Sequence, residues 1–284
     1  MTRRGANLLP SFFTMANIFC GYFALTETLQ AAQLLPGGLA EAAQHFDNAA
    51  KAIGFAVLFD GLDGRVARLM GTSSAFGKEL DSIADAITFG IAPAFLALTW
   101  GVQAVLPKSQ EGIFSDLAAA GWVVSFVFVL CSVARLARFN IQTGPTIHAE
   151  HQENRFFVGL PTPASAGLVA AVVHFQRGFP VEDWHWTPFW FVVLSAVSML
   201  MISTWKYHSF KHLELRNKRK SAVVVTLGTI AALIWFYSNV FLLIFATSYV
   251  MSGIVFKLMN ALRRKQPAVD SQEHLAAARR RPRP

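Results

Sequence analysis

The sequence predicts an all-α polytopic membrane protein of about eight transmembrane helices, on the strength of three observations. Apolar runs of roughly 20 residues, the length a helix needs to cross a bilayer, recur from residue 11 to residue 258. Only 15% of the 284 residues are charged, against about 25% in soluble domains. The third observation is where the charge lies. With spans at 11–34, 49–69, 82–104, 118–139, 158–177, 188–205, 221–238 and 240–258, every Lys and Arg except Lys51, Lys108 and Arg177 falls on one side. That is the positive-inside distribution, and it sets both termini in the cytoplasm. The formal net charge of +8 is therefore topology and attraction to anionic headgroups, which argues against a nucleic-acid partner.

A basic lead, residues 1–10, opens the chain, and the first span reads as a retained helix because no convincing small-residue cleavage site follows it. Thr14, Asn17 and Gly21 recur along it at helical spacing, a small polar stripe suited to helix packing or to facing a site. Residues 36–48 carry Glu41 and Asp47 but no Lys or Arg, as an outer loop should. The second span then runs inward to the stretch DGLDGRVARLMGTSSAFGKELDSIAD, residues 60–85.

This stretch organises the rest. Asp60 and Asp63 are three apart, and Asp81 and Asp85 four apart, so each pair shares one face of its helix. The flanks AIGFAVLF and AITFGIAPAFLAL are strongly apolar. Carboxylates beside hydrocarbon are costly and mark function by default. Four together repel unless cations lie between them. Two antiparallel helices joined by a turn over 71–77 would face these acids across a divalent metal centre. All-oxygen ligands favour Mg2+ or Mn2+ over zinc.

Beyond it, Arg65 reads as a headgroup anchor, whereas Arg68 lies two turns after Asp60 on one face and can reach an anionic substrate. The third span passes through Pro93, a bending point, and an outer loop follows at 105–117. The fourth ends in Arg135, Arg138 and Asn140, with the two arginines on a shared face, as anchors or as ligands for a carboxylate or phosphate. Residues 141–157 are polar and long enough for a lid, with His148 and His151 read as solvated. In FVGLPTPASAG the prolines and glycine interrupt the fifth span, and such backbone is tolerated where it borders a polar cavity. Residues 206–220 are basic, the last two spans read as packing helices, and 261–284 as a disordered basic tail near anionic lipid. Cys20 and Cys131 lie inside spans and read as small buried side chains. The expected division is a six-span core over 1–220, two further helices over 221–260, and the tail.

Taken together, Asp60, Asp63, Gly64, Ala67, Arg68, Gly77, Asp81 and Asp85 form the pattern Asp-x2-Asp-Gly-x2-Ala-Arg-x8-Gly-x3-Asp-x3-Asp. It resembles, without departure, the signature of the CDP-alcohol phosphatidyltransferases. The stretches LPSFFTMANIFCGYFAL, ARLARFN and FVGLPTPA are similar to those of the bacterial membrane-integral branch that uses L-serine as acceptor. The resemblance implies a six-helix catalytic core open to the cytoplasm, a homodimer, and an inner-membrane location. It implies that Asp60, Asp63, Asp81 and Asp85 bind a two-metal centre of Mg2+ or Mn2+, and that Asp85 is also the general base. Asn17, Gly64, Arg68, Ser74 and Gly77 would contact CDP-diacylglycerol. A serine hydroxyl would then displace CMP, leaving phosphatidylserine; on charge alone, Arg135 or Arg138 is the candidate partner of the serine carboxylate. A different architecture for the same product uses His-x-Lys, which none of the eight histidines begins. Other acceptors would leave other marks: a denser basic pocket for glycerol phosphate or inositol phosphate, an aromatic cage for choline. A divalent-cation transporter could also hold buried acids, but near the bilayer midplane rather than beside Arg65.

Overall fold

In a computed structural model of the chain, residues 12–70, 75–106, 112–142, 156–181, 183–208 and 220–264 are described. They form helices with one short strand pair. α1 is Phe12–Leu34 and α2 Leu39–Met70. α3, Ala75–Asp85, runs on through a π-helical turn at Ala86–Ile91, α4 at Ala92–Leu98 and a second π segment at Thr99–Gln103. α5 is Ile113–Gln142, α6 Thr162–Phe175, α7 Trp186–Ile202 and α8 Lys220–Arg264. Strand β1, Phe156–Val158, pairs antiparallel with β2, Lys206–His208.

Among the described residues, three stretches are long and apolar enough to cross a membrane: Phe76–Gln103, Ile113–Ile141 and Tyr237–Met259, with α6 and α7 apolar but shorter. The expected outer loop at 36–48 is a correction. α2 begins at Leu39 and carries Glu41 and Asp47 on helix, because alanines there are strong helix formers and Ala42, Ala43 and Phe46 are buried. α8 contains one non-helical residue, Tyr237, at the boundary expected between the last two spans.

Small side chains set the packing. α1 lies along α2 through Ala24, Ala31, Ala42, Ala49 and Ala56, all fully buried. A membrane interior offers no hydrophobic gain for helix pairing, so close van der Waals approach must supply it. At Gly21 the approach is close enough that a Cβ there would collide with the Thr88 hydroxyl. Thr88 in turn donates to the main-chain oxygen of Asn17 at 3.1 Å, which locks α1 against the π turn that follows Asp85. That turn also accommodates Pro93, which has no N–H to give, while Ala92 donates to the Ile87 carbonyl in the wide π register. Both cysteines are buried and free.

The irregular stretch before α6 is held by α7. Gly159 N donates to the Trp205 carbonyl (2.8 Å) and Leu160 N to that of Leu200 (2.9 Å). Below it Tyr207 is fully buried beside α8, where Gly253 has no side chain to obstruct its ring, and burial pushes its phenol up to about 12.

Candidate active site

The acidic stretch folds as two helices that meet. α2 brings Asp60 and Asp63 to its last turns, and α3 starts after the connection and presents Asp81 and Asp85. Carboxylate oxygens of Asp60, Asp81 and Asp85 lie within 4.8 Å of one another, a separation suited to a shared cation. Asp63 is not one of the three. It accepts a hydrogen bond from the Thr14 hydroxyl at 2.6 Å, so α1 supports both acid pairs. Asp85 is buried and receives the Asn17 amide at 3.0 Å. The expectation that the polar stripe of α1 faces the acids thus holds at Thr14 and Asn17.

The donor set fits a hard divalent cation: three acids, all oxygen, two of them from one helix and the third from its neighbour. Three carboxylates this close repel one another unless protons or cations are shared among them. Asn140, at the end of α5, donates to the Ser82 hydroxyl at 2.8 Å and ties that helix to the acid-bearing turn.

The two arginines of α5 part company. Arg138 donates to the carbonyls of Ile202 and Val158, each at 3.0 Å, and of Met201 and Ser203, each at 3.3 Å. Its planar fork closes the C-terminal end of α7 onto the strand pair, which spends its hydrogen-bonding capacity on backbone. Arg135 instead is buried. Its Nη1 donates to Thr162 at 3.3 Å, its guanidinium lies 5.9 Å from the Phe139 ring centroid, and it stands on α5 between Ser132, against Gly90, and Asn140, against Ser82, alongside the stretch that carries Asp85. The Tyr249 ring of α8 lies 5.9 Å from the Tyr207 ring, centroid to centroid, and α8 packs against α6 and β2.

Gly77 sits in the first turns of α3. Gly64 and Arg68 lie on α2, with side-chain surroundings outside the described residues; Ser74, His148, His151 and the 265–284 tail are outside them altogether. Thr162 was not anticipated; a threonine at the start of an interrupted span was the available signal.

Residues 7–184 match the family model of the CDP-alcohol phosphatidyltransferases. The chain belongs to that family. Among its relatives is a Mycobacterium bovis protein named CDP-diacylglycerol–serine O-phosphatidyltransferase, 36% identical over 211 residues, or 71% of this chain and 62% of that one. Proteins of the same name from Helicobacter pylori and Saccharomyces cerevisiae are 29% and 34% identical. The first alignment covers 78% of this chain and 81% of the relative, the second 60% and 54%. The chain therefore spans about three fifths of the length of the mycobacterial relative it matches. The matched family region ends before α7, leaving α7 and α8 beyond it.

Proposed function

We propose that the protein transfers the phosphatidyl group of CDP-diacylglycerol to the hydroxyl of L-serine, releasing CMP and leaving phosphatidylserine in the bilayer. The convergence of Asp60, Asp81 and Asp85 at the edge of apolar helices carries the reading. The family of the chain and the shared name of its relatives supply the substrates.

Asp60, Asp81 and Asp85, with Asp63 beside them, would hold a two-metal centre. Bound there, Mg2+ or Mn2+ supplies the positive charge that a diphosphate needs and that eases in-line displacement. Gly64, Arg68, Ser74 and Gly77 border the nucleotide side. Asp85 accepts the serine hydroxyl proton as the oxygen attacks the phosphorus bearing the diacylglycerol, because an alcohol is a poor nucleophile until a base takes its proton. The Asn17 amide orients that carboxylate. Arg135 is the candidate for the serine carboxylate, since Arg138 is occupied by carbonyls.

In this reading the chain crosses the bacterial inner membrane eight times as a homodimer, with both termini and the site in the cytoplasm and the basic tail against anionic headgroups. Purified protein given CDP-diacylglycerol and one alcohol at a time should release CMP with L-serine, in a reaction abolished by EDTA and restored by Mn2+ or Mg2+. Release with glycerol phosphate, inositol phosphate or choline, but not serine, would reassign the acceptor. Metal flux into proteoliposomes without CMP release would make the protein a transporter.

A further inference from the structure

We infer that Asn17 and Arg135 act as a pair that reads the zwitterion of an α-amino acid. Arg135 takes the carboxylate and the side-chain oxygen of Asn17 takes the ammonium, which leaves the hydroxyl at Asp85. The inference rests on the acceptor reading above and goes further, to what makes that acceptor an amino acid.

Buried polar atoms are almost always hydrogen-bonded, so each exception calls for an explanation. Among the described residues the side-chain exceptions are Asn17 Oδ1, Thr99 Oγ1, Ser132 Oγ, Arg135 Nε and Thr187 Oγ1. Asn17 bonds Asp85 directly, and Arg135 lies on α5 between Ser132, which sits against Gly90, and Asn140, which donates to Ser82, so both flank the stretch that carries Asp85. They are opposite in kind: Asn17 offers an acceptor and Arg135 a donor with full positive charge.

Neither side chain is free to turn away. The Asn17 amide nitrogen is held by Asp85 and its main-chain oxygen by Thr88. A flipped amide would set its oxygen against the Asp85 oxygen that now accepts from its nitrogen. The remaining oxygen therefore suits a cationic donor and not the phosphate oxygens of a nucleotide. Arg135 is fixed by Thr162 and the Phe139 ring, with its buried Nε–H unpartnered.

L-Serine carries its hydroxyl, ammonium and carboxylate within three bonds of one carbon. A site that delivers the hydroxyl to Asp85 must meet the other two groups with the immediate neighbours of Asp85. Sites built to hydrogen-bond a substrate group reject analogues that lack it, because their own buried atoms then stay unpaired.

The test is steady-state CMP release by the full chain in lipid–detergent micelles with CDP-diacylglycerol and Mn2+. L-Serine is compared with ethanolamine, which lacks the carboxylate, and 3-hydroxypropionate, which lacks the ammonium. Arg135→Gln should raise the serine KM at least tenfold and erase the preference over ethanolamine, with the CDP-diacylglycerol KM within twofold of wild type. Asn17→Ala should erase at least tenfold of the preference over 3-hydroxypropionate, again at constant CDP-diacylglycerol KM. Should Arg135→Gln not fold, Arg135→Lys keeps the charge without the fork, and a raised serine KM there carries the same weight. An unchanged serine KM in a folded arginine variant, or an Asn17→Ala whose defect lies in the CDP-diacylglycerol KM, overturns the inference. Wild-type protein inert toward serine would sink the acceptor assignment itself, whereas a serine-active wild type with indifferent variants sinks the pairing alone.

Discussion

Two charged clusters occupy α2, and they are built on opposite plans. Near its start, Asp47 is ion-paired with Lys51 at 2.7 Å and bonded to His174 Nδ1 at 2.6 Å, while His174 Nε2 meets the Ser238 hydroxyl at 3.0 Å. Glu27 of α1 is held there too, by His45 and Asn48, each at 3.0 Å. Near its end, Asp60 faces Asp81 and Asp85. At the first cluster acids face bases and donors of the same chain, and four helices, α1, α2, α6 and α8, are stapled together. At the second, three carboxylates converge within 4.8 Å of one another, with a neutral amide, that of Asn17, donating to one of them. A charge balanced from within is structural; a charge cluster that requires balance from outside is a place for ions and substrates. Burial alone would raise the carboxyl of Asp47, but the His174 and Lys51 partners outweigh it and hold the group below its ordinary range.

Removing one acid from each cluster should break the comparison if it is wrong. The largest effect is expected for Asp85→Ala: a loss of about 10²–10⁴ in kcat, the span of a general base, with the protein still folded. Asp81→Asn and Asp47→Asn should then move stability in opposite directions, read as thermal unfolding in detergent with EDTA present. Asp81→Asn relieves like-charge repulsion, worth on the order of 1–4 kcal/mol for charges about 4 Å apart, and should stabilise. Asp47→Asn should destabilise by about 1–3 kcal/mol at neutral pH, because it strips His174 and Lys51 of their shared anion. The sign with pH follows from the depressed Asp47 carboxyl. Its contribution is present above the unfolded value of about 3.9 and is lost as pH falls through the lower folded value, so the gap from wild type should close in strong acid. A matched rise for both variants would end the contrast. The smallest effect on turnover is expected for Arg138→Gln, which should lower the unfolding temperature while leaving the serine KM unchanged.

Legibility in the sequence followed the range of the interaction. Spacing along a helix is local, so the shared faces of Asp60 with Asp63 and of Asp81 with Asp85 could be read from residue numbers, as could the polar stripe of Thr14 and Asn17. Which acids of the two pairs meet was not, because that depends on how α2 and α3 approach. The reading of 36–48 as a loop failed because an absence of Lys and Arg reports the side of the membrane, not the backbone. Arg135 and Arg138 looked equivalent, three residues apart on one helix. Their difference comes from partners far along the chain, Thr162 for one and the end of α7 for the other.

Composition and periodicity alone determined that this is a helical membrane protein with acids set where hydrocarbon ends, since both follow from the cost of leaving apolar groups in water or charge in lipid. Tertiary structure alone decided that Asp60 joins Asp81 and Asp85, that Asn17 grips Asp85, and that Arg135 is the arginine beside the acids. The reason is physical: these contacts are fixed by close approaches such as Gly21 on Thr88, and the distance between two helices is written in neither of them separately.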